Sequence, residues 1–203
     1  MDKHIYCDMD GVLVDFLTGA IAHVNNHLNQ ENHFLSDMAE EAREELGRDY
    51  VIPEDLEKYG PLASDAARKY MYYLLEDDRE FWAQLPWMPG GQELWEHIKI
   101  YNPSILTSPM DKKGKKGSIL GKLDWLNENL GLDTNREVIF AHNKYEYATN
   151  ENGGSNILID DFLSKIGPWR EHGGDGIHHL GDPSTTIATL EEVRNESAIA
   201  VAN

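Results

Sequence analysis

The chain has 203 residues, which is enough for one buried core and a small insertion. Its 36 acidic and 18 basic residues give a formal net charge of −18, which argues against a general nucleic-acid binder because a phosphate backbone would be repelled. No apolar run approaches the length of a membrane span, and the structured pattern begins by Lys3, so we expect a cytoplasmic protein without a leader or a membrane partner.

The first predicted element is a short buried strand, Ile5–Cys7, and the residues after it are the most informative of the chain. Asp8 and Asp10 follow one residue apart, and Gly11 and a new apolar run come next. Two carboxylates at this spacing repel each other unless a cation or a charged substrate group compensates them. The alternative is an acidic turn in which one of the two simply caps the following segment.

A helical insertion is predicted after this strand. Apolar residues recur at three- and four-residue steps over residues 16–28, and residues 36–80 are acidic, helix-prone and without a strand signal. A stretch rich in aromatic residues and proline then leads back towards the sheet. We therefore assign residues 17–87 to a small all-helical cap, and residues 1–16 and 88–203 to the core.

The rest of the chain alternates strands with helices. The predicted strands are 104–107, 137–140, 156–159 and 176–178, and the predicted helices are 92–101, 118–130, 162–169 and 184–194. Such alternation implies right-handed crossovers and a parallel sheet, and continuous apolar runs are typical of strands covered on both faces. We predict an α/β fold with a doubly wound, Rossmann-like parallel sheet of about five strands.

Polar residues follow three of the predicted strands. In an open parallel sheet, ligands bind beyond the carboxyl ends of the strands, near the point where the strand order reverses. Each polar pair alone could be a helix cap, but three pairs at equivalent strand ends favour a site. These pairs are Asp8 with Asp10, Thr107 with Ser108, and Asp160 with Asp161.

The pattern D-x-D-G-V-L-x-D-F, which begins at Asp8, resembles motif I of the haloacid dehalogenase-like phosphohydrolases. Thr107 matches the second motif of that superfamily, and the pair Asp160-Asp161 matches the fourth. The resemblance implies a central first strand flanked by the strands that carry those two motifs.

The D-F ending of the motif, at Phe16, is similar to the 5′(3′)-deoxyribonucleotidase branch of the superfamily. The Thr-Ser-Pro-Met run at residues 107–110, the small helical cap and the Leu-Pro-Trp-Met-Pro-Gly return agree with this branch. Two positions depart from it, because Asp111 stands where relatives can carry lysine and His142 where an arginine can sit. These departures bear on the preference for base and sugar.

The resemblance implies the roles of the acids. Asp8 attacks phosphorus to give an aspartyl-phosphate, and Asp10 protonates the leaving alcohol and later activates water. Mg²⁺ prefers oxygen ligands, and the family pattern supplies them from Asp8, Asp160 and the backbone carbonyl of Asp10, while Asp161 orients a metal-bound water.

The phosphoryl oxygens need donors and a cation as well. The Thr107 hydroxyl and backbone amides near Met9 and Ser108 are the expected donors. Two lysines compete for the family's third motif. We favour Lys144, because it leaves the end of a strand, and keep Lys122 as the second candidate. The lysine-rich loop at residues 112–116 can also draw in an anion.

The expected substrate is a small phosphate ester, specifically a nucleoside or deoxynucleoside 5′-monophosphate. By the resemblance, Phe16 and Met110 flank the base. Phe81 and Trp82 return from the cap towards the core, so we expect aromatic faces on both sides of a flat base, where stacking is favourable. The alternative is that these aromatic rings form the hinge's own apolar core. The competing functions are a phosphatase for a sugar phosphate or phosphoglycolate, and a nucleotide-binding module without catalysis.

Overall fold

The computed structural model describes residues 3–29, 37–57, 61–110, 116–132 and 137–201, with side chains as far as residue 195. The strands are β1 (Ile5–Cys7), β2 (Ser104–Thr107), β3 (Val138–Phe140), β4 (Ile157–Asp160) and β5 (Asp175–His178). The helices are α1 (Phe16–Asn29), α2 (Asp37–Leu46), α3 (Pro53–Leu56), α4 (Asp65–Leu75), α5 (Arg79–Ala83), α6 (Gly91–Ile98), α7 (Gly117–Leu130), α8 (Leu163–Glu171) and α9 (Pro183–Val201). Short 3₁₀ turns lie at Lys99–Tyr101 and Lys144–Tyr147.

The five strands form one sheet in the order β3-β2-β1-β4-β5, and every neighbouring pair is parallel. The chain moves outwards from β1 through β2 to β3, then returns to the other side of β1 for β4 and β5. The strand order therefore reverses at β1, which makes the end of β1 the expected ligand position. The predicted doubly wound α/β sheet is confirmed.

The strands are apolar because both faces of the sheet are covered. Ile5, Cys7 and the first three residues of β4 are at most 1% exposed, and their run of apolar residues is continuous rather than alternating. Cys7 pairs in register with Ile105 on one side and with Ile159 on the other. This register brings the carboxyl ends of β1, β2 and β4 to one edge of the sheet.

The chain divides into two compact units. The first comprises Met1–Asp15, Pro86–Pro109 and Leu130–Asn203 and contains the whole sheet, and the second comprises Phe16–Leu85 and Met110–Asn129. All elements described in the second unit are helices. The predicted cap, 17–87, falls in this unit apart from its last two residues, and the unit also includes nearly all of α7, which sequence reasoning assigned to the core.

The last helix is longer than predicted. Sequence reasoning ended it at residue 194 and left the remaining residues as a tail, whereas α9 continues to Val201. Residues 195–201 contain neither glycine nor proline, so nothing in their backbone stops the helix. No helix in the described residues is long and apolar enough to cross a membrane. The cytoplasmic location stays a prediction.

Helix α7 packs within the second unit through glycine. A Cβ atom on Gly121 would lie 2.4 Å from the carbonyl oxygen of Arg79 and 2.5 Å from the Cβ atom of Trp82. At the start of the helix, the Asp77 carboxylate accepts hydrogen bonds from the backbone N–H groups of Lys116 and Gly117. Backbone contact at this distance leaves no room for a side chain.

We expect Gly121→Ala to lower the free energy of unfolding by about 1–3 kcal/mol, because the added methyl group forces backbone apart. Chemical denaturation measures this change. The control is Asn127→Ala, at an exposed position of the same helix, which should change stability by at most about 0.5 kcal/mol. A Gly121→Ala protein as stable as the control would show that α7 does not need this close approach.

Candidate active site

The first acid of the site continues the central strand. The backbone N–H of Asp8 donates to the Ile159 carbonyl at 2.9 Å, as in the ladder between β1 and β4. The chain then turns sharply, since the N–H groups of Leu13 and Val14 both donate to the Met9 carbonyl. Asp8 is therefore fixed at the strand end before the chain leaves the sheet.

A buried lysine joins two of the predicted acids. The Lys144 ammonium lies 2.8 Å from Oδ1 of Asp8 and 2.6 Å from Oδ2 of Asp160, and the three side chains are 1%, 9% and 0% exposed. Lys144 reaches this position from the 3₁₀ turn that follows β3. Burial lowers the pKa of Lys144, but the two carboxylates raise it by more, so the net shift is upwards and the lysine stays charged.

Three carboxylates share this edge of the sheet. Oxygens of Asp8, Asp160 and Asp161 all lie within 4.8 Å of one another. Burial and the neighbouring Asp8 raise the pKa of Asp160 to about 6, and burial, Asp8 and Asp160 raise that of Asp161 to about 8. One ammonium does not balance three carboxylates, so the cluster attracts a further cation.

Asp161 carries the clearest sign of a missing partner. Its Oδ1 atom is buried and accepts no hydrogen bond from the described part of the chain. Asp160 differs, because its Oδ1 accepts the backbone N–H of Phe162 at 2.8 Å and its Oδ2 accepts from Lys144. A buried carboxylate oxygen without a donor, beside two further carboxylates, fits a hard cation such as Mg²⁺.

Gly11 makes this arrangement possible. Its φ is +77°, a left-handed conformation that favours glycine. A Cβ atom here would also lie 2.2 Å from Oδ2 of Asp161. The turn after β1 and the carboxylate after β4 are thus in direct contact, which explains the glycine that follows the two acids.

Asp10 lies in the same turn, where its backbone pairs with Val14. Its side chain is half-buried and is not one of the three clustered carboxylates. The expected metal ligand was its backbone carbonyl, so the cluster does not test that role. Its assignment as acid and base stays a prediction.

The end of β2 is tied to the end of β3. Thr107 is buried, and its carbonyl accepts the backbone N–H of Ala141 at 3.0 Å, while the Ser108 hydroxyl donates to the Ala141 carbonyl at 3.1 Å. Since Cys7 pairs with Ile105, Thr107 lies at the same sheet edge as Asp8. The structure thus brings Thr107 to the carboxyl edge of the sheet, as predicted from the topology.

The other predicted residues belong to the second unit. Lys122 is fully buried, with its ammonium 4.9 Å from the centre of the Trp82 ring. Phe16 stacks on Trp82 with ring centres 5.2 Å apart, and Phe81 meets both rings edge-on. Trp82 is 1% exposed, so these rings form a packed aromatic cluster, as the alternative interpretation described. Contact with a base stays a prediction.

Met110 also lies in this unit, where its N–H donates to the Ser118 hydroxyl at 3.1 Å. Asp111 and the lysines at 112, 113 and 115 lie outside the described residues. Sequence reasoning missed His178, whose Nε2 is 2.9 Å from the Asp161 carbonyl. The only signal for it was its position at the end of the strand that pairs with β4.

The raised carboxylate pKa values predict that the metal-free protein loses stability as the pH rises. Both acids ionise near pH 3.8 when exposed, so between about pH 4 and pH 8 the folded chain holds protons that the unfolded chain has released. In EDTA, the melting temperature should fall from pH 5 to pH 8. For Asp161→Asn, which has no carboxyl proton to lose, the fall in melting temperature should be smaller by at least about 2–4 °C, which corresponds to ~1 kcal/mol for a chain of this size.

Differential scanning calorimetry measures these melting temperatures. Asp175→Asn is the control, because Asp175 starts β5 at the opposite end of the strand and pairs with Lys3. Its pH slope should match that of the wild type. Equal slopes for the wild type and Asp161→Asn would contradict the assignment of the raised pKa to Asp161.

No protein-family model matches the chain, and no curated protein matches it. Among solved structures, it is similar to a hydrolase from Streptococcus pneumoniae TIGR4, with 16% identity, coverage of 95% of this chain and 98% of that one, and a TM-score of 0.46. It is also similar to a HAD hydrolase, family IA, variant 3, from Entamoeba histolytica HM-1:IMSS, with 15% identity, coverage of 89% of this chain and 85% of that one, and a TM-score of 0.45.

A HAD family hydrolase from Deinococcus radiodurans R1, solved with bound phosphate and sodium, gives 14% identity, 93% and 88% coverage and a TM-score of 0.48. At these values, the function of this chain has to be argued from the geometry of its own site.

Proposed function

We propose that the chain is a haloacid dehalogenase-like phosphohydrolase that cleaves small phosphate monoesters in a Mg²⁺-dependent reaction. The observation that carries this proposal is the carboxylate of Asp8, held at the end of the central strand by the buried Lys144 and placed beside Asp160 and Asp161. A nucleophile, a cation and a metal-type donor set at one sheet edge suit phosphoryl transfer.

Asp8 has the geometry of a nucleophile. Its Oδ1 accepts hydrogen bonds from the Met9 backbone N–H and from Lys144, both at 2.8 Å, which fixes the plane of the carboxylate. An oxygen of Asp8 attacks phosphorus, the bond from phosphorus to the ester oxygen breaks, and Asp10 protonates the departing oxygen. Water, deprotonated by Asp10, then attacks phosphorus and releases inorganic phosphate and the Asp8 carboxylate.

The remaining groups of the site compensate the negative charge of the phosphoryl group. Asp8, Asp160 and Asp161 fit Mg²⁺, with the unpartnered Oδ1 of Asp161 as the supporting observation, and the ion when bound neutralises the phosphoryl charge. Lys144 provides a fixed positive charge beside the nucleophile, and the hydroxyl of Thr107 donates to a phosphoryl oxygen.

Asp8→Asn should reduce phosphate release by at least about 10³-fold, because an amide does not form the acyl-phosphate. Phosphate release with Mg²⁺ and with EDTA measures this loss. Asp175→Asn, which also breaks an ion pair of the sheet, should keep wild-type activity. Turnover by Asp8→Asn at a tenth of the wild-type rate would rule out the covalent mechanism.

Asp10→Asn tests the acid and base separately. We expect it to slow both formation and hydrolysis of the phosphoenzyme, which quench-flow trapping of the labelled protein can follow. Failure to trap any phosphoenzyme or its fluoroberyllate mimic in the wild type would also count against the scheme.

We further propose that the substrate is a nucleoside or deoxynucleoside 5′-monophosphate. The motif ending at Phe16 and the Thr-Ser-Pro-Met run support this narrower class. In this proposal the base stacks on Phe16, which is half-buried and belongs to an aromatic cluster already packed around Trp82. Its rigidity limits the entropy lost on binding.

We expect kcat/KM for a nucleoside 5′-monophosphate to exceed that for glucose 6-phosphate or phosphoglycolate by at least about tenfold, the equivalent of ~1.4 kcal/mol of stacking. Phe16→Leu keeps apolar volume against Trp82 but removes the ring, and should erase most of this preference while sparing an aryl phosphate. A wild-type preference for the sugar phosphate would leave a phosphatase of another class. No release from any monoester would favour the binding module.

A further inference from the structure

Two successive histidines at the end of β5 hold the two acids at the end of β4. His178 pairs in register with Asp160, and the backbone N–H of His179 donates to the Asp160 carbonyl at 2.9 Å. The side chain of His178 continues this pairing, with Nε2 2.9 Å from the carbonyl oxygen of Asp161. A carbonyl oxygen only accepts, so Nε2 of His178 carries the proton.

The strand end that supplies these contacts is itself anchored. The His179 ring is buried, with Nδ1 2.8 Å from the Thr186 hydroxyl, and that hydroxyl donates to the Asp182 carbonyl at 3.2 Å. Because the Thr186 proton is used on Asp182, Nδ1 of His179 donates to the hydroxyl oxygen. The chain of bonds ties the end of β5 to the first turn of α9, so His178 projects from a fixed backbone.

Asp161 needs such a support. Its carboxylate is repelled by Asp8 and Asp160, and the described residues give its Oδ1 no hydrogen bond that would resist the repulsion. Gly11 limits movement on one side, since its backbone lies against Oδ2. The backbone of Asp161 is held separately, because the His178 ring donates a hydrogen bond to its carbonyl oxygen.

We propose that His178 is a positioning residue, which fixes the backbone of Asp161 so that its carboxylate faces the metal site. The proposal rests on the proposed function, because it takes Asp161 as one of the groups that surround Mg²⁺. Outer partners of this kind commonly change metal affinity by 10- to 100-fold when they are removed, even though they do not touch the ion.

The test is Mg²⁺ affinity measured by isothermal titration calorimetry, together with the melting temperature in EDTA. His178→Leu removes the donor and should weaken Mg²⁺ binding by about tenfold or more, with a melting temperature within about 2 °C of the wild type. His178→Gln places an amide N–H near the position of Nε2 and should bind Mg²⁺ within about threefold of the wild type.

His172→Leu is the matched control. The exposed ring of His172, the residue that follows α8, also contacts a backbone carbonyl, that of Pro168 at 2.8 Å. Its loss should leave Mg²⁺ affinity unchanged. If His178→Leu does not fold, His178→Asn replaces it, because the asparagine side chain is shorter than glutamine by one methylene group and falls short of the carbonyl.

The outcomes are distinct. Wild-type protein that binds no Mg²⁺ overturns the metal site of the proposed function, and this inference with it. Wild-type protein that binds Mg²⁺ while His178→Leu binds it equally well overturns this inference alone. A large fall in melting temperature that His178→Gln does not restore would make His178 a structural residue, and would also overturn the proposal.

Discussion

The interaction on which the site depends is the buried ion pair of Lys144 with Asp8 and Asp160. An isolated ammonium or carboxylate in this position would be strongly unfavourable, because water is excluded from all three side chains. Each group is tolerated only because the others are present. The pairing also decides geometry, since the lysine arrives from the end of β3 and the acids from β1 and β4. One ammonium thus aligns elements that are far apart in sequence.

The ion pair leaves an excess of negative charge at the site, and this excess allows the site to attract a further cation. Asp161 adds a third carboxylate whose pKa is raised to about 8 by burial and by the two neighbouring acids. A fold selected for stability alone would place a neutral side chain here. An ionisable carboxyl here destabilises the metal-free protein as the pH rises towards 8, and its ionised form attracts a cation, a compromise typical of functional sites.

The strands and the acids at their ends could be predicted from sequence because strand periodicity and strand-end residues are local signals, whereas the central place of β1 was implied by the family resemblance. The choice between Lys144 and Lys122 rested on position relative to a strand, and the structure brings Lys144 to Asp8. The membership of α7 in the second unit could not be predicted, since it depends on which surface meets Gly121. The contact of His178 with a backbone carbonyl leaves no sequence pattern beyond its place at the end of a predicted strand.

The division of α7 from the sheet-bearing unit has a consequence for how this protein can be recombined. The chain passes between the two units four times, at 15/16, 85/86, 109/110 and 129/130. An insertion with two crossings can be exchanged between relatives as a single cassette. Here, a graft of residues 16–85 would lose the helix whose backbone fits against Arg79 and Trp82. Chimeras therefore have to carry two separate segments, and changes in either segment are constrained by the other.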